Sequence, residues 1–479
     1  MYKPYPIQQK EIDKITDFVK GKSKKKGVFV MPVGGGKSLI IANVAMNFPE
    51  KYFINIAPNK ELVQQNYETY KSYGFDASVC SASLGSNEVS QVTFATIGTL
   101  KKHYDFFKDK DVVLIQDEAD SNSLKKSELD KFFKKLNKCK LMGVTATPMR
   151  LNNTKGGSKL SMMNRQRDCM YTSIESVVQV KDVIKNNMWS KVFYEVEDVD
   201  EEKLELNTTG SDYTLKSLEA FSEANDIKQK CIEAVYRLRE EGRESCIVYV
   251  TTIKEAEFVA SKIDNAEVLH SKLKKKKRDE VVNGLKTGKI KTVVNVGILI
   301  KGFNYPGLSS IVIARPTNSY TLFYQAVGRL VRKTENKKDG KVVDISGNYN
   351  KFGAIEDLEI IKEDWCGGWA AFSGERLLTN YALGSSIVPT KESLKEHYKN
   401  KNQNFDTNPK MPFGKHKGYR LSAVKQKDEK YLAWMTDEKT GFKYYGEKGL
   451  ELKKAIYHML KLPFDGFDDV VMETQTMPF

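Results

Sequence analysis

An apolar run, Val28-Phe29-Val30-Met31-Pro32-Val33, passes directly into Gly34-Gly35-Gly36-Lys37-Ser38. This junction leaves the chain few folding choices. The run reads as a buried strand, the glycines as a tight turn, and the residues after Ser38 as a helix. A glycine turn between strand and helix leaves backbone N–H groups free to cradle phosphates at the positive end of the helix. Lys37 is then placed to reach terminal phosphates, and the Ser38 hydroxyl to hold Mg²⁺. Met31 stands where the general phosphate-loop pattern expects its first glycine.

A second apolar run, Val112-Val113-Leu114-Ile115, leads to Asp117-Glu118-Ala119-Asp120. An acidic pair at the end of a neighbouring strand supplies a carboxylate for the metal, Asp117, and a base for an attacking water, Glu118. The two motifs together imply ATP and Mg²⁺ as cofactors and hydrolysis as the chemistry.

Short apolar runs at 28–33, 52–57, 92–95, 112–116 and 141–145 alternate with helix-like stretches such as 59–73 and 125–137. That rhythm predicts a mostly parallel sheet with helices on both faces. Ligands bind such sheets beyond the carboxyl ends of the strands, where both motifs fall. Residues 151–225 break the rhythm and are expected as an irregular insertion and linker. The alternation resumes near 226, with runs at 246–250, 293–296, 310–314 and 342–345. Residues 354–398 read as a packed extension, 399–410 as a polar linker, 411–462 as a small basic module and 463–479 as an acidic-then-apolar tail.

Lys and Arg outnumber Asp and Glu by 77 to 62 in 479 residues, an excess that suits a polyanionic partner. Cys80, Cys139, Cys169, Cys231, Cys246 and Cys366 show no Cys-x-x-Cys spacing and no clustered histidines. Buried thiols are expected rather than a zinc ribbon or a disulfide framework. The N-terminus has no apolar core of signal-peptide length, and no run approaches a membrane span. A cytoplasmic setting is expected (a host cytoplasm if the gene belongs to a phage), with no membrane partner.

With these motifs in view, the chain resembles a superfamily 2 helicase over residues 5–353. Pro32 to Ser38 looks like the helicase form of the phosphate loop. Tyr5-Pro6-Ile7-Gln8-Gln9 resembles the adenine-reading motif, with Gln8 as its amide. Ala57-Pro58-Asn59-Lys60 and Ala95-Thr96 resemble motifs that touch nucleic-acid phosphates, implying roles for Pro58, Asn59, Lys60 and Thr96. Thr145-Ala146-Thr147-Pro148 matches the motif coupling the ATP site to the strand path, and Thr145 and Thr147 are taken as strand contacts, with simple turn hydrogen bonds as the other reading of their hydroxyls. Thr251 and Thr252 belong to a motif IV-like stretch. Gly302 lies in a motif V-like stretch in which Asn304 replaces the usual aspartate.

Gln325-Ala326-Val327-Gly328-Arg329-Leu330-Val331-Arg332 matches the most specific motif of the second half. Its spacing predicts one helix face. The resemblance implies that Gln325, Arg329 and Arg332 face the γ-phosphate across a cleft between two domains.

The implied fold is α/β: two RecA-like parallel-sheet domains, 1–150 and 226–353, followed by the small C-terminal module. Within the superfamily the chain looks most like RadD-type and T5-like phage branch-migration helicases. The implied function is an ATP-dependent DNA helicase or translocase acting on forked or branched DNA. An RNA-remodelling ATPase and an ATPase switch without unwinding are the alternatives. DEAD-box RNA helicases usually spell the arginine motif His-Arg-Ile-Gly-Arg, unlike Gln-Ala-Val-Gly-Arg here. The module from Met411 resembles a domain appended to some exonucleases and phage enzymes; its glycines, lysines and aromatics suit a nucleic-acid surface and equally an ordinary small core with a wet basic face. The tail Gln475-Thr476-Met477-Pro478-Phe479 resembles a sliding-clamp-binding peptide and, more loosely, the acidic tail of single-strand-binding proteins.

Overall fold

The computed structural model describes residues 4–21, 25–121, 124–154, 157–166, 168–171, 173–208, 211–297, 305–334, 337–381, 388–403, 406–437, 444–462 and 470–471. The first lobe is built on β1 (Lys26–Val30), β2 (Tyr52–Ile56), β3 (Ser78–Ser81), β4 (Ser86–Asn87), β5 (Val92–Ala95), β6 (Asp111–Asp117) and β7 (Lys138–Thr145). A hairpin of β8 (Met149–Thr154) and β9 (Gly157–Met162) follows, then β10 (Ile174–Val177), which returns to the sheet. The spatial order is β10-β1-β7-β6-β2-β5-β3-β4, parallel throughout except at the short β3–β4 edge.

Burial on both faces explains the unbroken apolar runs. Val28, Val30, Ile54 and Leu114 enter the core on one side of the sheet. Their neighbours Phe29, Met31, Phe53 and Val113 enter a separate core on the other. Alternate side chains point to opposite faces, so a strand covered twice has no polar positions to spare.

The second lobe holds β11 (Lys191–Val196), β12 (Cys246–Tyr249), β13 (Ala266–His270), β14 (Thr292–Val296), β15 (Ser310–Ile313) and β16 (Asp339–Asp344). All six are parallel, in the order β11-β16-β15-β12-β14-β13. One apolar core runs from the first sheet through Trp189 and Val331 to Ile247 and Ile311 of the second. The two lobes therefore meet over packed side chains as well as polar ones.

Residues 151–225 differ from the irregular insertion expected of them. β10 completes the first sheet, the helix Val180–Lys185 crosses over, and β11 completes the second. The expected linker at 399–410 also differs, because the helix Lys391–Gln403 runs into it. That helix follows an antiparallel sheet of β17 (Leu358–Glu363), β18 (Gly368–Ser373) and β19 (Arg376–Leu377). Beyond it, Met411, Leu421, Leu432 and Ile456 close a separate small core. No helix among the described residues is long and apolar enough to cross a membrane.

Candidate nucleotide and nucleic-acid site

The helix Lys37–Met46 opens on Gly36, whose φ is 83°, and Gly34 has φ 70°. Both angles lie in the left-handed region, where an L side chain costs roughly 1–2 kcal/mol. A Cβ on Gly36 would also lie 2.1 Å from Gln8 Nε2, so the cradle requires glycine there. The first-turn N–H groups of this helix have no acceptor inside it and face the loop. Gln8 is buried against them: Nε2 donates to the Gly35 carbonyl at 3.1 Å, and Oε1 accepts from Tyr5 N–H at 2.9 Å. One N–H and one lone pair of that amide remain for a base edge.

Lys37 Nζ lies 3.7 Å from Asp117 Oδ1 and 3.5 Å from Glu118 Oε1. Burial works against its charge, but Glu118, Asp117 and Asp120 outweigh burial and raise its pKa. Burial also raises the Asp117 carboxyl, against the pull of Lys37. Glu118 adds to that rise, and the Asn66 amide, donating to Asp117 Oδ2 at 2.8 Å, opposes it. Glu118 follows the end of β6 with φ 49°, a strained backbone for a residue with a side chain.

From the second lobe Gln325 Nε2 donates to Glu118 Oε2 at 3.4 Å. Its Oε1 is buried and has no hydrogen-bond partner among the described residues. Arg329 and Arg332 line the same cavity, which also takes in Lys37, Ser38 and Glu118 and has a volume of about 490 Å³. Burial lowers the pKa of Arg329, with Tyr249 and Glu118 opposing. Burial and the Arg329 charge push Arg332 down to about 9. A guanidinium stays charged at neutral pH, so these two desolvated cations gain much from a polyanion between them.

The expected single helix face for this motif is corrected. The helix spans Tyr320–Val327 and carries only Gln325; Gly328 caps it, Arg329 sits in the turn beyond, and Arg332 in a bridge to Trp189. Gly328 explains the break. A Cβ there would lie 2.7 Å from Val33 Cγ2 and 2.8 Å from the Tyr324 carbonyl, so the second lobe packs directly on the phosphate loop. Sequence reasoning missed Trp189, whose indole N–H donates to the Val33 carbonyl at 2.7 Å and whose backbone bridges Arg332. Asn66 was missed too. Its position among Leu62, Val63 and Tyr70, on the buried face of its helix, was a readable signal.

The expected nucleic-acid residues divide into two sets. Pro58, Asn59, Lys60, Thr96, Thr251 and Thr252 lie at helix N-termini beyond strand ends. Pro58 is exposed and the other five are half-buried. Asn59 and Thr252 use their side chains as caps, on Leu62 N–H at 2.9 Å and Glu255 N–H at 3.1 Å. Thr145 and Thr147 are corrected: both are fully buried at the end of β7, out of a strand's reach. Thr145 Oγ1 instead donates to Asp120 Oδ1 at 2.7 Å and accepts from Thr147 N–H at 3.1 Å, which ties this turn to the acidic motif. Gly302 lies outside the described residues.

Residues 1–150 match the family described as type III restriction enzyme, res subunit, and 228–334 match the helicase conserved C-terminal domain. The two matches together cover more than half of the chain, and they fall on the two lobes that meet at the cavity. The chain is a superfamily 2 helicase. A 51.5 kDa protein of a Lactococcus phage is 22% identical over 71% of this helicase and 69% of itself. A Saccharomyces cerevisiae protein, provisionally named as the ATP-dependent helicase IRC3, is 24% identical over 71% of the chain and only 51% of its own length. Among solved structures, a fragment assigned to the HsdR subunit of a type I restriction enzyme from Vibrio vulnificus YJ016 aligns at a TM-score of 0.52 and 16% identity. It covers 74% of the helicase and 66% of that chain. The type ISP restriction-modification enzyme LlaBIII, bound to DNA, aligns at 0.50 and 16% over 72% of the helicase and 28% of that chain. Such structural likenesses establish the shared fold of two parallel-sheet lobes; the two family matches make the chain an ATP-dependent helicase that acts on nucleic acid.

Proposed function

We propose that this helicase is an ATP-dependent DNA translocase that unwinds forked or branched DNA in replication, recombination or repair. One observation carries the motor reading. Glu118, Lys37, Gln325, Arg329 and Arg332 line one cavity although they come from two lobes. Closing the lobes assembles the catalytic set, and opening them takes it apart, so turnover is tied to lobe movement. The DNA reading is supported by the Gln-Ala-Val-Gly-Arg spelling at 325–329 and by the DNA-bound neighbour of the same fold.

Ser38 and Asp117 fit Mg²⁺, and the glycine cradle with Lys37 fits the phosphates. Bound there, Mg·ATP supplies the transferable phosphoryl group and neutralises part of its charge. Glu118 takes a proton from the attacking water, and the buried Gln325 Oε1 accepts that water's other hydrogen. Lys37, Arg329 and Arg332 offset charge developing on the transferring group. Asp120 and Thr145 pass the state of the acidic motif to the turn at Thr147. Pro58, Asn59, Lys60, Thr96, Thr251 and Thr252 present helix N-termini to the strand, mostly to phosphates, which makes the grip sequence-tolerant and salt-sensitive.

ATPase and strand displacement measured in parallel on single-stranded, duplex, forked and four-way DNA, and on RNA, test this reading. DNA stimulation with displacement of forked substrates is expected. Stimulation by RNA alone would make the protein an RNA-remodelling ATPase; stimulation without displacement would make it a switch. The tail at 475–479, outside the described residues, is proposed to dock on a sliding clamp or single-strand-binding protein. Titrating a labelled peptide of 463–479 into each tests it, and no binding at high micromolar concentration removes the idea.

A further inference from the structure

The C-terminal module carries a second surface that the motor does not use. Its helix Leu421–Thr436 breaks at Asp428, with φ −159° and ψ 61°. The break brings the Asp428 carboxylate within 2.5 Å of Lys415 Nζ and 2.9 Å of His416 Nε2. Those two hydrogen bonds hold its pKa down to about 2, so the anchor persists across the working pH range. Tyr431 packs onto the turn at Gly414, whose φ is 76° and whose added Cβ would lie 2.3 Å from Tyr431 Oη. The outcome is a ladder of rings. His416 meets Tyr431 edge-on at 5.1 Å, and Tyr431 stacks on Trp434 at 5.8 Å and 23°.

The ladder serves the module's core only in part, through Tyr431, which packs against it. Leu432 and Met435 of the same helix turn fill the core, whereas Trp434 is 45% exposed and Tyr419 50% exposed. Cations surround the rings: Lys415 lies 5.0 Å from the Tyr431 ring centre and Lys427 4.8 Å from that of Tyr419. Residues 411–462 hold twelve Lys or Arg against six Asp or Glu. An exposed flat ring flanked by cations matches a nucleobase flanked by phosphates, and stacking is tolerant of sequence because every base has a π face. A protein partner would be expected to cover apolar side chains with few charges at the centre, which this patch lacks.

We propose that the face formed by His416, Tyr431 and Trp434, with Lys415, Tyr419 and Lys427, is a second strand-binding site that stacks single-stranded DNA. It lies outside both parallel-sheet lobes and gives the helicase a hold on DNA that does not depend on ATP. The choice of DNA rests on the proposed function; the stacking surface itself does not.

Anisotropy of a labelled oligothymidylate titrated with the full-length protein, without nucleotide, tests it. Trp434→Ala is expected to weaken binding about 5-fold or more, with DNA-independent ATPase unchanged. Trp434→Phe, which keeps a ring, is expected to restore most of the affinity and to lose the tryptophan quenching expected when DNA binds the natural protein. Lys415→Gln flattens the salt dependence by about 0.7 in log–log slope, the share of one phosphate on a single strand. Unchanged affinity in Trp434→Ala, or a loss confined to RNA oligomers, overturns the proposal. Because this readout uses no nucleotide, the motor reading stands or falls separately, on turnover.

Discussion

Glu118 occupies a left-handed backbone angle at the end of a buried strand, and that position fixes what it can do. The strain aims its carboxylate at Lys37 on one side and Gln325 on the other. Glu118→Gln keeps the shape and removes the base. Turnover is expected to fall about 10²–10⁴-fold while binding of a fluorescent ATP analogue with Mg²⁺ stays near normal; equal losses in both would sink the division of labour with Asp117. Lys37→Ala should lose turnover by a comparable factor in a folded protein, checked by circular dichroism beside ATPase rate. Asn66 supplies a pH test. Burial raises the Asp117 pKa and the Asn66 amide pulls it back. The active form of Asp117 is the carboxylate, so activity falls as pH drops through that pKa. Removing the amide in Asn66→Ala raises the pKa further and moves the acid limb of kcat/KM to higher pH. An acid limb that stays in place would show that Asn66 does not tune the carboxyl.

At the scale of elements, the contact between the phosphate loop and the arginine turn matters most. Gly328→Ala puts a methyl 2.7 Å from Val33 and 2.8 Å from a fixed carbonyl. The Tyr324 carbonyl, in the same lobe, cannot yield, so the added methyl is forced onto Val33 of the phosphate loop and the lobes are held apart. ATP turnover is expected to drop at least 10-fold with little change in thermal midpoint, and small-angle scattering should show a more open particle; normal turnover would mean that this close approach is not needed. The strands around this contact were legible because burial on two faces writes continuous apolar runs. β10 and β11 were not. Ile174-Glu175-Ser176-Val177 and Lys191-Val192-Phe193-Tyr194-Glu195-Val196 are edge strands, half open to water, and each joins a different sheet. Their short polar-apolar alternation reads as an irregular segment until both sheets are in place. The arginine motif was legible as a set of residues but not as a shape. Spacings of three and four suggest one helix, and only the packing of Gly328 on Val33 reveals why the helix must stop.

For the whole molecule, the question is what the helix Lys391–Gln403 belongs to. Its Leu394 is buried with Ala370, Phe372 and Leu377 of the antiparallel sheet, and Lys391 pairs with Glu359 at 2.8 Å. Tyr398, one turn on, packs against the core of the C-terminal module, where Lys454 lies 4.6 Å from its ring centre. The polar composition of 399–410 hid this, because a helix that braces two units needs only a few apolar contacts on each side. The helix thus serves both units, and two truncations separate its roles. A chain ending after Gln403 keeps the Leu394 contact and should hydrolyse ATP within about 2-fold of the full protein, while losing the single-strand affinity carried by the module. A chain ending after Thr390 empties the Leu394 site. Loss of one such buried leucine costs about 2–5 kcal/mol, so this shorter chain should melt several degrees lower and yield less soluble protein. If the longer truncation also loses ATPase, the module is part of the motor's core and not an addition to it. If the shorter one is as stable as the longer, the helix braces nothing, and the module hangs from the antiparallel sheet by a tether alone.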